Sequence, residues 1–316
     1  MQDGLLTSKI LVYERDNQIM NTLKNFLKQN SLHGLRTNRE ENIVSLLKAN
    51  IDLGCVILCE IDEHYLEIGR AIKEVRSELP IFLRVKKENI DVEIDPAYEA
   101  CFDGIYCVED IAVLKGLIEK FLFNRFYPAD MVADIIEMTK TGLYSFFDDC
   151  TITCDTPYLV KDRMIYGEIS TLISIESNWC RGFMMFETSE ADLNSLINKK
   201  KNFNSNSNYD IVASVLGEIT NLSWGAFRNK FIRTADNDES STKVQVPIYV
   251  NHMKKYISFG SSDPHLCFRY RISDGSRRSV DLYHKLIFNL KWNPEEYEKE
   301  NGELTKLFEP GDIELF

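Results

Sequence analysis

The chain has 316 residues, of which 44% are hydrophobic and 27% charged, as in an ordinary folded protein, and this length predicts two domains. The formal net charge of −12 argues against non-specific binding to nucleic acid and to an anionic membrane surface. Because the sequence contains no long apolar run and no signal peptide, we expect a cytoplasmic protein.

Cysteine spacing bears on metal binding and on redox compartment. None of the eight cysteines forms a Cys-x-x-Cys pair, and none of the five histidines lies at a ligand spacing from a cysteine. Most of the cysteines stand among β-branched or aromatic residues, where a reduced thiol packs as a small hydrophobic group. We therefore expect no metal and no cofactor of the protein's own.

The first 125 residues alternate apolar strands with amphipathic helices. Strands are predicted at residues 9–15, 34–37, 54–60, 80–85 and 104–108, and helices at 17–28, 39–49, 65–78 and 111–123. Strands this apolar, alternating with helices, predict a parallel sheet that is covered on both faces. The fold class of this domain is therefore α/β, doubly wound and flavodoxin-like.

This pattern resembles a response-regulator receiver domain, which needs two acids after its first strand to hold Mg²⁺. The equivalent residues here are Glu14 and Arg15, and an arginine at that place would occupy the position of the metal. The phosphate-accepting aspartate at the end of the third strand is replaced by Cys59 or Glu60. The resemblance therefore extends to the fold and departs from the family at the phosphorylation site.

Two further receiver positions depart in the same way. The hydroxyl residue after the fourth strand becomes Arg84 or Val85, and the lysine after the fifth strand becomes Val108 or Glu109. With none of the phosphorylation residues left, the domain is interpreted as a pseudo-receiver.

Residues 49–86 also resemble the N-terminal wing domain of the bacterial inducible lysine, ornithine and arginine decarboxylases. The shared pattern is an apolar strand, an acidic loop, a helix, and Leu79-Pro80 before the next strand. In that family the wing serves interaction and assembly and has no catalytic residues, which implies a scaffold here. The alternative is a degenerate receiver that still binds a partner or a small ligand.

Pro128 ends the preceding helix and marks the start of a second domain, residues 126–275. Helices are predicted at residues 129–147, 191–199 and 210–232, strands at 159–160, 166–176, 180–187, 243–250, 256–260 and 265–273, a hairpin turn at 178–179, and a mobile Asn/Ser-rich loop at 199–209. Helices that flank an antiparallel sheet predict an α+β fold.

The helix predicted at residues 210–232 has two contrasting faces. At helical pitch, one stripe of its surface carries Ser214, Glu218, Asn221, Gly225 and Arg228. The opposite stripe is apolar and is expected to pack on a core: Val212, Val215, Ile219, Leu222 and Ala226, with Leu216 and Phe227 at its far edge. A carboxylate and a carboxamide therefore lie side by side between small residues, which leave room for a partner.

The motif Ser214, Glu218, Asn221, followed by Pro247 in the next strand, resembles the signature of the CheC/CheX/FliY chemotaxis phosphatases. The order of helices and strands around the motif is also similar. CheC-like members carry two such motifs and CheX-like members one. In the first helix of this domain Glu137 is followed three residues later by Lys140, where the motif requires asparagine. The chain therefore has one motif, and the resemblance is to a CheX-like domain.

The resemblance implies a function. The substrate would be a phosphorylated CheY-like receiver, which itself supplies Mg²⁺ and a lysine. Asn221 would orient the attacking water, Glu218 would pair with the lysine of the receiver, and Ser214, Gly225 and Arg228 would contact the partner. The resemblance also implies a homodimer that pairs through sheet edges. The alternative is a non-catalytic adaptor that binds receivers, or assembles through the first domain, without hydrolysing anything.

Residues 276–316 extend beyond the part of the chain that resembles this family. A helix is expected at residues 280–290, followed by an acidic tail with scattered apolar residues. The predicted organisation is therefore a pseudo-receiver domain at 1–125, a CheX-like domain at 126–275 and an extension at 276–316.

Overall fold

The structure is a computed structural model that describes residues 6–60, 64–89, 96–161, 167–200, 208–232, 248–251, 263–275 and 279–296. The chain divides into two compact units, each made of three segments. Unit 1 comprises Met1–Phe126, Asp155–Tyr166 and Lys254–Phe268, and unit 2 comprises Tyr127–Cys154, Gly167–Met253 and Arg269–Phe316. Among the described residues, no helix is long and apolar enough to cross a membrane.

Unit 1 contains a five-stranded parallel sheet in the order β2-β1-β3-β4-β5. The strands are β1 Ser8–Tyr13, β2 Leu32–Thr37, β3 Leu53–Cys59, β4 Ile81–Val85 and β5 Gly104–Cys107. The helices are α1 Asn17–Gln29, α2 Ile43–Ala49, α3 His64–Val75, α4 Pro96–Glu99 and α5 Ile111–Phe121. This strand order is the flavodoxin-like one, and it confirms the doubly wound sheet predicted from the sequence.

The sheet of unit 1 is buried on both faces. Ile10 and Val12 of β1 belong to one core cluster, whereas Leu11 and Tyr13 belong to a second cluster on the opposite face. Every residue of β3 and β4 is buried, which explains why these two strands are continuous apolar runs in the sequence.

A short segment from later in the chain also belongs to unit 1. Thr7 donates its backbone N–H to Pro157 at 3.0 Å and accepts one from Leu159 at 2.9 Å. The Ser8 hydroxyl donates to the Leu159 carbonyl at 3.1 Å. Pro157 and Leu159 are therefore bonded to Thr7, the residue just before β1, although they are distant from it in sequence.

The second sheet has seven strands in the order β10-β8-β9-β12-β11-β6, with β7 alongside β11. The strands are β6 Thr151–Cys154, β7 Tyr158–Val160, β8 Ile169–Glu176, β9 Cys180–Thr188, β10 Ile248–Asn251, β11 His265–Ser273 and β12 Ser279–Trp292. The helices are α6 Ala129–Tyr144, α7 Glu190–Lys200 and α8 Asn208–Phe231. The predicted β8–β9 hairpin is confirmed, with antiparallel register and a hydrogen bond of 2.9 Å from Ser177 N–H to the Cys180 carbonyl.

The prediction of a helix at residues 280–290 is wrong. This segment is strand β12, which lies between β9 and β11. Val280, Leu282 and His284 are buried, while the residues between them are only half-buried, which is the two-residue period of a strand. From His284 to Phe288 every residue is buried, because both faces of the strand are covered there. That continuous run hides the strand period in the sequence.

Three sequence predictions fall outside the described residues: most of the Asn/Ser-rich loop, the strand at 256–260, and Pro247. Of the strand predicted at 243–250, only β10 is described.

Gly182 of β9 is required by a close approach of two backbones. A Cβ atom at this position would lie 1.8 Å from the Ile287 carbonyl oxygen. The register of the β9–β12 pair shifts between Ile287 and Lys291, directly beside this contact. Glycine therefore allows an irregularity in the centre of the sheet that a side chain would block.

Candidate functional site

Helix α8 is fixed by the side chains of one face. Its core-facing residues are Val212, Leu216, Ile219, Thr220, Ser223 and Phe227, all of which are buried. The Thr220 hydroxyl donates to the Leu216 carbonyl at 2.8 Å and also lies 2.5 Å from the Thr171 hydroxyl of β8. Thr220 thus links the middle of α8 to the sheet, one residue before Asn221.

An aromatic cluster holds the C-terminal end of α8. Trp179, in the β8–β9 turn, is fully buried, and its indole N–H donates to the Phe231 carbonyl at 2.9 Å. The rings of Trp224 and Phe227 stack with centroids 6.2 Å apart. Trp224 is half-buried, so it packs against the helix's own core-facing side. The last turn of α8 therefore has an acceptor satisfied by a side chain, which limits fraying.

The polar stripe predicted from the sequence lies on the solvent side of α8. Ser214, Glu218, Asn221 and Arg228 are exposed, and Gly225 is half-buried. Within the described residues, neither Glu218 nor Asn221 makes an ion pair or a hydrogen bond through its side chain. A spacing of three residues on a helix places their Cβ atoms about 5–6 Å apart. Both side chains are therefore available to the same external group.

Space for a partner is open beside this pair. A Cβ atom at Gly225 would meet no heavy atom within 4 Å. Gly225 follows Asn221 by one helical turn, and because it has no side chain, it places no bulk next to the carboxamide. The small residue that we expected to leave room for a partner does face open space.

The apolar stripe of α8 is rotated from the one predicted. Leu222 is 44% exposed, and Val215 and Ala226 are only half-buried. The core direction passes instead through Leu216 and Phe227, which the sequence pattern placed at the edge of the stripe. Leu222 thus stands at the surface directly after Asn221, and it adds an apolar side chain to the candidate site.

Helix α6 packs beside α8, running in the opposite direction. Lys230 of α8 pairs with Asp134 at 2.7 Å, and Gly142 faces Leu222, whose Cβ atom would be 3.8 Å from an added Cβ. Glu137 of α6 pairs with Lys140, 3.4 Å away on its own helix. The only counterpart of the Glu-x-x-Asn motif on α6 therefore carries a lysine that neutralises the carboxylate.

The receiver-like positions of unit 1 are engaged within the fold. Glu14, at the end of β1, and Arg84, in β4, form a two-pronged ion pair with N–O distances of 3.0 and 3.1 Å. Their side chains are 1% and 7% exposed. The arginine that pairs with Glu14 is therefore Arg84, whereas Arg15 is exposed and lies over the Tyr13 ring.

The remaining receiver-like positions also serve the fold. Burial raises the pKa of the Cys59 thiol to about 11, so this group stays protonated at neutral pH. The Glu60 carboxylate accepts from the Lys86 backbone N–H at 3.0 Å and from the Asn89 side chain at 2.7 Å, which orders the turn after β4. Val108 begins a short 3₁₀ turn after β5 and is half-buried. Among the described residues, no cluster of three or more His, Cys, Asp or Glu side chains could hold a metal ion.

Comparison with solved structures finds similarity of two kinds. A chemotaxis protein from Desulfovibrio vulgaris Hildenborough is 15% identical, with 48% of this chain and 93% of that chain covered and a TM-score of 0.37. Chemotaxis protein CheX from Vibrio vulnificus is 17% identical, with 48% and 95% covered and a TM-score of 0.35. The response regulator TrrA from Thermotoga maritima is 18% identical, with 36% and 98% covered and a TM-score of 0.31. No protein-family model and no curated protein matches this chain.

The structures similar to this chain are thus CheC/CheX-like chemotaxis proteins and response-regulator receiver domains.

Proposed function

We propose that the exposed stripe of α8 docks a phosphorylated receiver protein and hydrolyses its aspartyl phosphate. The observation that carries this proposal is the adjacent pair Glu218 and Asn221. Both are exposed, and neither has a side-chain partner within the described residues. They stand on a helix that is anchored along its other face, so their spacing is fixed before a partner arrives.

Asn221 orients the attacking water. Its carboxamide oxygen accepts a hydrogen bond from the water, and its NH₂ group donates to a phosphoryl oxygen, without any change in its own protonation. The water oxygen forms a bond to phosphorus while the bond between phosphorus and the aspartate oxygen breaks. The products are inorganic phosphate and the free aspartate of the receiver. Mg²⁺ and a lysine, both held by the receiver, would supply the positive charge that offsets the leaving carboxylate.

Glu218 fixes the docking register by pairing with that lysine. A charge-assisted hydrogen bond of this kind contributes about 1.5–3 kcal/mol once a partner excludes water. Ser214 and Gly225 present little bulk on either side of the pair, so a receiver loop can approach closely. Arg228 lies ten residues beyond Glu218, about 15 Å along the helix axis, where it would meet an acidic surface of the partner.

The test loads candidate receivers with a small phosphodonor and follows the loss of phosphate. The wild-type protein should dephosphorylate a receiver faster than the receiver loses its phosphate spontaneously. Asn221→Ala should lower the maximal rate by about 100-fold, as the removal of one positioned polar group does in other enzymes. Glu218→Ala should raise KM more than it lowers kcat, because it weakens docking. Asn229→Ala is the matched control, since Asn229 is also exposed on α8, two turns away.

Two outcomes would contradict the proposal. If the wild type never exceeds spontaneous loss with any receiver, the stripe is not catalytic. If hydrolysis occurs but Asn221→Ala and Asn229→Ala behave alike, Asn221 does not position the water.

Leu222 favours a second candidate, an adaptor that binds receivers without hydrolysis. Its 44% exposure places an apolar contact beside the polar pair, which binding alone would use. An adaptor would retain phosphorylated receivers more tightly than unphosphorylated ones and leave the phosphate lifetime unchanged. Leu222→Asn would then weaken the retention.

We further propose that the chain forms a homodimer through a sheet edge. Among the strands that the structure describes, β10 is the terminal one of the second sheet, and its Ile248 side chain is 62% exposed. An exposed terminal strand with an apolar side chain is suited to pairing with a second copy. Light scattering should give twice the mass of the chain, and Ile248→Lys should lower it; a monomeric wild type would contradict the proposal.

A further inference from the structure

An open groove of about 430 Å³ runs between α1 and β2 on unit 1. Four of the residues that line it are cationic or titratable: Lys24 and Lys28 from α1, and His33 and Arg36 from β2. The chain as a whole has a formal net charge of −12, so this concentration of positive charge on one groove is opposite to the average surface.

The lysines of the groove are not engaged elsewhere in the described part of the chain. Lys24 and Lys28 are exposed and make no ion pair with any described carboxylate. Arg36 is bonded, because its guanidinium donates to the Glu14 carbonyl at 3.1 Å and to the Asn17 side chain at 2.9 Å. The positive charge of the two lysines therefore faces solvent rather than a partner within the fold.

Among the described strands, β2 is the terminal one of its sheet, and it presents backbone groups to this groove. Ser8 N–H donates to the Ser31 carbonyl and Glu14 N–H donates to the Thr37 carbonyl, both at 3.3 Å. In a parallel ladder the residues that bond to one neighbour alternate with those that face the other way. The N–H and C=O groups of Gly34 and Arg36 therefore point away from β1.

Gly34 lets α1 pack closely against β2 beneath the groove. It is exposed, and a Cβ atom there would lie 2.6 Å from a methyl group of Leu27 in α1. Leu27 and Leu32 are buried beneath and form an apolar floor. The outer edge of β2 thus combines free backbone groups, an apolar base and a cationic wall on the α1 side.

We propose that this groove binds an extended segment of a partner protein, which adds to β2 as a further strand and carries acidic side chains at every second position. Lys24 and Lys28 are separated by four residues of helix, about 6 Å along the axis. Side chains on one face of a strand repeat every two residues, about 6.6 Å apart. Two successive acidic side chains on the α1 face of the added strand would therefore each meet one lysine, while the backbone pairs with Gly34 and Arg36.

The test uses fluorescent peptides and the full chain. The probe is a six-residue peptide of alternating valine and glutamate, and the comparison peptides are valine alternating with lysine, and three valines followed by three glutamates. The alternating acidic peptide should bind with the highest affinity, measured by fluorescence anisotropy. The double variant Lys24→Glu, Lys28→Glu should weaken binding by roughly tenfold or more. The matched control is Lys87→Glu, Lys115→Glu, which reverses two exposed lysines elsewhere on unit 1.

Amide hydrogen exchange distinguishes strand addition from charge attraction. Bound peptide should slow exchange at the Gly34 and Arg36 amides, whereas the His33 and Leu35 amides, which face β1, should stay as slow as before. The proposal is overturned by any of three results: no binding of the alternating acidic peptide, binding that leaves the Gly34 and Arg36 amides unchanged, or equal competition by succinate, which would indicate a small-anion site. Equal affinity for the peptide with three consecutive glutamates would also overturn the alternating register.

Discussion

The ion pair between Glu14 and Arg84 lies at the receiver-like positions of unit 1, and its contribution to the stability of the fold can be measured directly. Both side chains are almost completely buried and are joined by two hydrogen bonds. Replacement of Arg84 by methionine would leave the Glu14 carboxylate in a dry environment without its counter-charge. Removing one partner of a buried pair costs about 3–5 kcal/mol of stability, because the remaining charge loses its compensation.

The double replacement should behave differently. With Glu14→Gln and Arg84→Met together, no unpaired charge is buried, and the loss should fall to about 1–2 kcal/mol. Glu14→Gln alone leaves the Arg84 charge unpaired and should also cost about 3–5 kcal/mol, so the coupling energy between the two sites should be about 4 kcal/mol or more. Urea unfolding followed by circular dichroism, with all four proteins of the cycle at pH 7, gives this quantity from the midpoints and slopes.

A second pair in the same unit is the control. Arg70 and Glu74 are 3.3 Å apart on α3, and their side chains are 62% and 67% exposed. Arg70→Met should change stability by no more than about 0.5 kcal/mol. If Arg84→Met cost as little stability as Arg70→Met, or if the double variant lost the sum of the two single losses, Glu14 and Arg84 would not be coupled.

Two further predictions concern unit 2. Burial lowers the pKa of His284 to about 3, so below pH 6.5, the ordinary pKa of histidine, the unfolded chain takes up a proton at this residue while the folded chain does not. The free energy of unfolding should therefore fall by about 1.4 kcal/mol between pH 7.5 and 5.5 because of this group. Urea titrations of His284→Gln should lack this part of the pH dependence. Gly182→Ala should destabilise the protein by about 3 kcal/mol or more, since the methyl group would overlap the Ile287 carbonyl, whereas Gly116→Ala in α5, where an added Cβ meets nothing within 4 Å, should raise the melting temperature slightly.

Unit 1 was predictable because its sequence signals are local. β3 and β4 are buried on both faces, so their apolar runs stand out in the sequence. The partner of Glu14 was missed, although a signal existed. Arg84 interrupts an otherwise apolar strand, and a charged residue in a buried strand requires an opposite charge nearby.

The features that sequence reasoning missed in unit 2 depend on tertiary contacts. The sequence of β12 predicts a helix because Lys285 and Ile287 are buried on the face opposite Leu282 and His284, which removes the alternation that identifies a strand. Because Leu222 is apolar, the sequence pattern places it in the core, but α6 and the sheet approach α8 from directions that leave it at the surface. The exposure of Glu218 and Asn221, by contrast, follows directly from helical periodicity.

The position of β12 has a consequence for synthesis on the ribosome. β12 lies between β9 and β11, so neither of these strands can acquire its inner neighbour until residue 292 has left the exit tunnel. β1 to β5, which end at Cys107, can pair much earlier. From the emergence of Thr188 until that of Trp292, the β8–β9 hairpin therefore carries an open edge at β9, which exposes it to pairing with other chains.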